Sequence, residues 1–347
     1  MEDRYLTKSE PKAYVWLWFL WLGVFYTIWV LLVVGQNDWD KVVEHWPISI
    51  AMALGSYAAG ATPMGGGTIG FPVLVMWYEM PSSLGRDFSF VIQAIGMTSA
   101  SILIFVRRQA VAKNILIGAI FGSLIGTPIG IIYVAPYLDE LWVKLIFSIV
   151  WASFGVLHLF RVNEISKNIG CGSYEKKFDF TIGLLLSLLA TIFMTSVTGV
   201  GVDMILYCAL VLLFRADLKI AIPTSVIIMA FTSIVAVFTK YVAGDFYPGV
   251  YGNWLAAAPV VILGAPLGVV IVGYVGRKIT LYFVAVLCVF QYVWMCIEEY
   301  HELKVIGIFA TFLAIGMTMI FLEFLRSMGN KLRSSKDSDI SGKPNSV

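Results

Sequence analysis

Thr62-Pro63-Met64-Gly65-Gly66-Gly67-Thr68 lies inside an apolar run from Pro47 to Met80. Its residue types suit one kind of chemistry, the holding of a small anion by backbone amides. Three adjacent glycines cost roughly 1 kcal/mol each in a helix interior, and Pro63 lacks a backbone donor, so a helix breaks here. In hydrocarbon an unpaired backbone group is costly, and a break persists only where protein or a polar cavity satisfies it. The limb that restarts at 68 offers unpaired N–H groups and a positive dipole end. Consecutive amides from Gly65 to Thr68 can form an anion-cradling nest. A weaker break follows at Thr198-Gly199-Val200-Gly201-Val202-Asp203, ahead of a limb over 203–214. Two interrupted hydrophobic segments in corresponding halves point to a transporter's substrate site.

After each break comes a span with an early polar cluster. The first holds Gln93, Thr98 and Ser99; the second holds Thr224 and Ser225. Thr98-Ser99 and Thr224-Ser225 look like repeat-related pairs whose hydroxyls, with the Gln93 amide, can donate to oxyanion oxygens. The competing use of a membrane hydroxyl is a bond across helices or to its own helix's carbonyls. Arg86-Asp87 and Arg215-Ala216-Asp217 stand at matching points just before these spans. They are expected at the two opposite mouths, where an arginine attracts an anion or pairs with the neighbouring Asp as a helix cap. Asp203 is the one acidic residue well inside an apolar segment. Two roles stay open for it: uptake of a proton or coupling cation, and capping of the limb it opens.

The chain is 59% hydrophobic and 13% charged, where soluble domains average about 45–50% and about 25%. It is therefore an all-α polytopic membrane protein whose first partner is the lipid bilayer. Net charge is +2 and the basic residues fall in short loops and tails, so no nucleic acid is implied. The four cysteines are scattered without metal spacing or a disulfide framework, and no cofactor motif appears. His45, His158 and His301 are scattered too, with no HExxH, nucleophile elbow or carboxylate cluster. Catalysis is not expected. The tryptophans of 16–46 read as an interfacial belt.

Roughly 20 apolar residues span a bilayer. Full-length candidates are 14–35, 88–106, 114–135, 142–160, 217–239, 254–275, 280–297 and 304–325. The segments 47–80 and 180–214 contain the breaks. Lys and Arg concentrate in cytoplasmic loops. The rich segments are the N-terminus (Arg4, Lys8, Lys12), Arg107/Arg108/Lys113, Arg161 to Lys177, Arg277/Lys278 and the tail from Arg326. With all of these on one side, the walk along the chain closes only if each broken segment returns to the side it came from. The expected organisation is an inverted repeat of a hairpin of discontinuous helices plus three transmembrane helices, with an extra helix at each end. Residues 1–46 are the cytoplasmic N-terminus and anchor helix, 47–165 the first repeat and 180–300 the second, inverted one. Residues 301–347 are the last transmembrane helix and a cytoplasmic tail, disordered from Ser334. Both termini are expected in the cytoplasm of a cell whose inner membrane holds the protein.

Gly65-Gly66-Gly67 with Pro72, a Thr-Ser-bearing span and the weaker downstream copy resemble the TauE/SafE family of sulfite exporters, over most of 47–297. The run Arg86-Asp87-Phe88-Ser89-Phe90 through Gln93 to Thr98 is similar to one branch of it. The second half departs from the pattern, with Gly199-Val200-Gly201 for a fuller glycine cluster and Cys208 where a proline is expected. The resemblance implies transport of a small sulfur-containing anion such as sulfite, sulfoacetate or another organosulfonate. Composition and spacing alone also fit an anion channel, or a carrier of another small oxyanion or carboxylate. The expected substrate residues are Thr62, Gly65, Gly66, Gly67, Thr68, Gln93, Thr98, Ser99, Thr198, Gly199, Gly201, Thr224 and Ser225, with Asp203, Arg86 and Arg215 as coupling or gate groups. Oligomeric state and coupling ion are left open by the sequence.

Overall fold

The computed structural model describes residues 14–172 and 175–341. Arg4, Lys8, Lys12 and Lys343 of the expected basic termini lie outside the described residues. The described residues are helical, with no strand among them. The helices are α1 (Val15–Gln36), α2 (Trp39–Glu44), α3 (Trp46–Ala61), α4 (Gly67–Trp77), α5 (Ser82–Val106), α6 (Lys113–Tyr133) and α7 (Glu140–Ile165). They continue as α8 (Lys176–Thr198), α9 (Val202–Leu212), α10 (Leu218–Ala243), α11 (Val250–Val275), α12 (Arg277–Glu298) and α13 (Tyr300–Ser341). Among the described residues nine helices are long and apolar enough to cross a membrane. Eight answer to the expected spans. The ninth is α8, because the first limb of the second hairpin is already 23 residues long. The last helix runs on through Ser341.

The breaks fall where the glycines are. The limbs α4 and α9, at 11 residues each, reach roughly 16 Å at 1.5 Å per residue, about half a bilayer core. The two repeats interlock. The first limb of each hairpin packs on the second full span of the other repeat, α3 on α11 and α8 on α6. The first spans α5 and α10 pack on each other, as do the third spans α7 and α12. Small residues make this possible. In α6, Gly118, Gly122 and Gly130 approach so closely that a Cβ would lie 2.0, 2.3 and 2.6 Å from the carbonyl oxygens of Phe180, Leu184 and Ile192 on α8. In the partner contact a Cβ at Gly60 or Gly268 would lie 1.8 Å from Ala265 O or 2.3 Å from Tyr57 O. Between membrane helices close backbone approach of this kind is a main source of cohesion.

The loops sort by charge. The α7–α8 connection returns beside the end of α9: Gly172 N donates to Phe214 O at 2.8 Å, Asp217 N to Gly170 O at 2.6 Å, and Asn168 Nδ2 to Val211 O at 3.1 Å. At that same end Ala112 N donates to Thr224 Oγ1, and Arg326 pairs with Glu164. The basic loops therefore gather at one end, called here the Arg215 end. At the other, the Arg86 end, Ser82 N donates to Glu140, Lys144 pairs with Glu299 and Tyr247 N donates to Asp87. Each hairpin begins and finishes at a single end, as the loop-charge walk requires.

Candidate functional site

The second break is held open by its own polar side chains. Gly199 and Gly201 have φ of 84° and 126°, a region L side chains avoid. Thr198 Oγ1 donates within the turn, lying 3.0 Å from Met194 O and 2.8 Å from Val200 O. Val202 N donates to Thr195 Oγ1 at 3.0 Å. Asp203 Oδ1 accepts from Gly201 N at 3.2 Å and Met204 N at 3.0 Å. The amides that open α9 are thus occupied by the protein's own carboxylate and hydroxyl groups.

The first break is built differently. Thr62 N and Thr62 Oγ1 both donate back to Ala58 O, at 2.9 and 2.7 Å. Thr68 N donates to Gly65 O, and Ile69 N and Gly70 N to Gly66 O. Among the described residues no backbone bond uses the N–H of Gly66 or Gly67. The glycines here serve approach, since none has positive φ. A Cβ on Gly65 would sit 1.7 Å from Gln93 Oε1 and 3.3 Å from Asp203 Oδ2. One on Gly67 would meet Ser89 Oγ at 2.5 Å and Val200 Cγ1 at 2.6 Å. Gly66 is roomier, with Met52 Cε nearest at 3.3 Å.

The two breaks therefore touch. Gln93 on α5 ties them, its Nε2 donating to Gly199 O at 2.9 Å and to Ser89 O at 2.9 Å. Gly65, Gly66, Gly67, Gln93, Thr198, Gly199, Gly201 and Asp203 are brought together, and all are buried. Ser89 and Thr195 join them, and the sequence reading missed both. Thr68 is adjacent; its carbonyl accepts from Gln291 Nε2 of α12 at 3.1 Å, while its hydroxyl is buried without a partner.

Four expected residues lie elsewhere. Ser99 accepts from Trp18 Nε1 at 3.0 Å and donates to Ile262 O at 2.8 Å, binding α1 and α11 to α5. Thr98 shares its depth, and its buried hydroxyl has no partner. Thr224 Oγ1 donates to Ile220 O, and Ser225 Oγ to Ile222 O, both at the Arg215 end. Thr98-Ser99 and Thr224-Ser225 are not equivalent pairs. α5 already begins at Ser82, which puts Thr98 in its second half, whereas Thr224 lies in the first two turns of α10. By position in the helix Ser89 is the counterpart of Ser225. For the same reason Arg86-Asp87 lie within α5, while Arg215 precedes α10 and Asp217 caps it through Lys219 N at 2.8 Å.

Arg86 lines a polar cavity of about 290 Å³ at its end, with Ser82, Ser83, Glu140, Asp245 and Val197. Val197 adjoins Thr198, so the cavity floor backs onto the second break. Behind Arg86, Asp87 accepts from Arg86 Nε at 2.9 Å and pairs with the buried Lys240 at 3.1 Å. Lys240 also pairs with the exposed Asp245 at 2.7 Å. Lys240 closes an apolar stretch, which is why a span ending at 239 hides it. At the opposite end Arg215 is engaged by Glu164 at 2.9 Å and by Asn330. The cavity there, of about 590 Å³, is lined instead by Arg108, Gln109, Lys113, Asn114 and Asp179. Each end thus has a cavity that an arginine lines, and the residues of the crossing between them are buried. Among the described residues no three His, Cys, Asp or Glu side chains cluster as metal ligands. His158, stacked on Phe154, bonds Phe154 O and Tyr207 Oη.

A family model described as Sulfite exporter TauE/SafE matches residues 48–295, which takes in both hairpins and the six spans of the two repeats. No curated protein and no solved structure matches the chain.

Proposed function

The chain belongs to the sulfite exporter TauE/SafE family, a family of membrane transporters for sulfur-containing anions, and from that premise we propose a secondary carrier whose substrate sits where the hairpins cross. The observation that carries this reading is the Gln93 side chain of α5, whose Nε2 donates to Gly199 O in the second break while its Oε1 lies against Gly65 in the first. It makes one polar centre from two interruptions through a bond between residues 106 positions apart. The free amides of Gly66 and Gly67 at the start of α4 supply donors and a dipole end for an oxyanion. The second break, with its amides already satisfied by Asp203 and Thr195, takes the supporting role. Arg86 and Arg108 draw the anion into the two cavities.

Because the crossing is packed, binding requires the hairpins to part from one side at a time, which is the behaviour of a carrier. The gathering of the basic loops at the Arg215 end supports cytoplasmic termini in a cell membrane with the Arg86 cavity on the far side. Sulfite, sulfoacetate and other organosulfonates are the substrate class. The test is saturable uptake of labelled sulfite or sulfoacetate into proteoliposomes holding the purified protein, competed by the unlabelled anions and abolished by Gly67→Leu. A flux indifferent to every sulfur anion but competed by a carboxylate would reassign the substrate.

A further inference from the structure

At the crossing, two buried acceptor oxygens face the same residue and neither has a side-chain donor. Gln93 Oε1 and Asp203 Oδ2 both lie against Gly65, whose amide approaches the Asp203 carboxyl, and no side chain donates to either oxygen. The side chains that carry them are each 1% exposed. The Gln93 amide cannot be turned to remove the mismatch. Its NH₂ already donates to Ser89 O and Gly199 O, and a flip would aim an oxygen at those two carbonyls. Asp203 Oδ1 is likewise committed to the amides of Gly201 and Met204. Of the neighbouring hydroxyls, Ser89 is spent on Gly85 O and Thr198 on Met194 O and Val200 O, while Thr68 Oγ1 is buried without a partner. Buried acceptors are expected to be satisfied, and a hydrogen atom on Oδ2 would turn one of the two into a donor near the other, both oxygens lying within 3.3 Å of one point beside Gly65. A metal cation would ask for more oxygens than this pair supplies.

We propose that Asp203 Oδ2 and Gln93 Oε1 form a proton-binding site, and that a proton held there favours an anion at the Gly66 and Gly67 amides. The proton comes from water at whichever mouth is open and forms the Oδ2–H bond, which donates to Gln93 Oε1. It leaves by the same route, and no other bond changes. The coupling to the anion rests on the functional reading above; the proton site rests on the geometry alone. An ionised Oδ2 beside Gly65 repels an anion held by the next two amides. Protonation removes that repulsion, and linkage makes the effect mutual.

No other group takes over this role. On α9 itself stand Tyr207 and Cys208, and Tyr207 is bonded to His158 of α7. On α12, Cys288 contacts Met64. From α5 and α10, Arg86, Asp87 and Lys240 are paired with one another at the mouth. Of the charged groups of α8 and α13, Asp179, Glu323 and Arg326 lie at the Arg215 end, and Glu302, bonded through its amide to Glu299 O, lies with Lys304 near the start of α13 at the Arg86 end. Among the described residues no ion pair or side-chain hydrogen bond joins any of them to Asp203.

Two measurements on the full chain test the proposal. The first is infrared difference spectroscopy through a pH titration in detergent. It should show a protonated-carboxyl band that appears as pH falls, is lost in Asp203→Asn and moves to higher frequency in Gln93→Leu, where the acceptor is gone. Should Asp203→Asn fail to insert, the band shift in Gln93→Leu carries this arm. A band unchanged in both variants overturns the site. So does sodium-dependent thermal stabilisation at fixed pH that Asp203→Asn abolishes while no band is seen. The second is binding of methanesulfonate, whose single charge does not titrate. Its affinity should rise by up to about tenfold per unit fall in pH, the limit for one linked proton, and Asp203→Asn should lose that slope. Binding without pH dependence in the wild type overturns the coupling. If methanesulfonate fails to bind at any pH while the band behaves as expected, the substrate reading and its coupling fall and the proton site stands.

Discussion

Lys240 Nζ stands 3.1 Å from Asp87 Oδ2 with both side chains sealed from solvent. The same ammonium reaches Asp245 at 2.7 Å on the loop that leaves α10, and Asp87 Oδ1 holds Arg86. The Arg86 mouth thus carries a charge network that joins α5, α10 and that loop. Removing one member of a buried pair leaves the other uncompensated and costs about 3–5 kcal/mol.

Lys240→Met or Asp87→Asn alone should therefore lower the stability of the detergent-purified protein by about that amount. The double change should cost clearly less than the sum of the two. Thermal unfolding of the four proteins measures this, and additive losses would show that the two groups do not depend on each other.

Gly66 offers a graded test of the crossing. Its nearest neighbour to an added Cβ is Met52 Cε at 3.3 Å, a flexible tip that can yield a few tenths of an ångström. Gly66→Ala should keep most transport, whereas Gly66→Leu should insert and purify normally yet lose it by an order of magnitude or more. Equal rates for Gly66→Leu and wild type would take the glycine turn out of the substrate path.

Sidedness can be read with single cysteines at exposed positions. Asp40→Cys and Glu302→Cys at the Arg86 end should react with an impermeant maleimide on intact cells, and Lys167→Cys at the Arg215 end should react only after permeabilisation. Lys167 is preferable to its neighbour Asn168, whose amide pins Val211 O and Ala216 O. Reaction of Lys167→Cys in intact cells would turn the proposed orientation over.

The native Cys171, in the loop before α8, should not confuse that experiment. Burial, reinforced by the negative charge of Asp179, pushes its thiol up to about 12. At neutral pH almost no thiolate is present, and the thiolate is the reactive form. Cys171 should be alkylated much more slowly in the folded protein than after unfolding in detergent and urea. Equal rates would contradict that burial.

Much of the architecture was legible because membrane helices advertise themselves by length and loop charge. The two breaks were visible as glycine clusters, and the rule that each hairpin returns to its own end followed from counting Lys and Arg. The equivalence of side chains between repeats was not legible. Thr98-Ser99 and Thr224-Ser225 match as dipeptides, but only the helix starts at Ser82 and Leu218 reveal that they stand at different depths. Lys240 escaped notice because a lysine after an apolar run reads as an interfacial residue, and its partner Asp87 is 153 positions away in sequence with no local pattern to link them. Of the two roles left open for Asp203, the capping contacts are made by Oδ1 at the start of α9, and the proton role is proposed for Oδ2, which faces Gly65.

The central claim, that a sulfur-containing anion is carried where the two hairpins meet, is tested most directly by counterflow. Proteoliposomes are loaded with unlabelled sulfite and diluted into a trace of labelled sulfite. The account predicts transient accumulation of label above equilibrium that saturates with sulfite concentration and disappears in Gly67→Leu. A flux that rises linearly with concentration and shows no accumulation would describe a channel and contradict it.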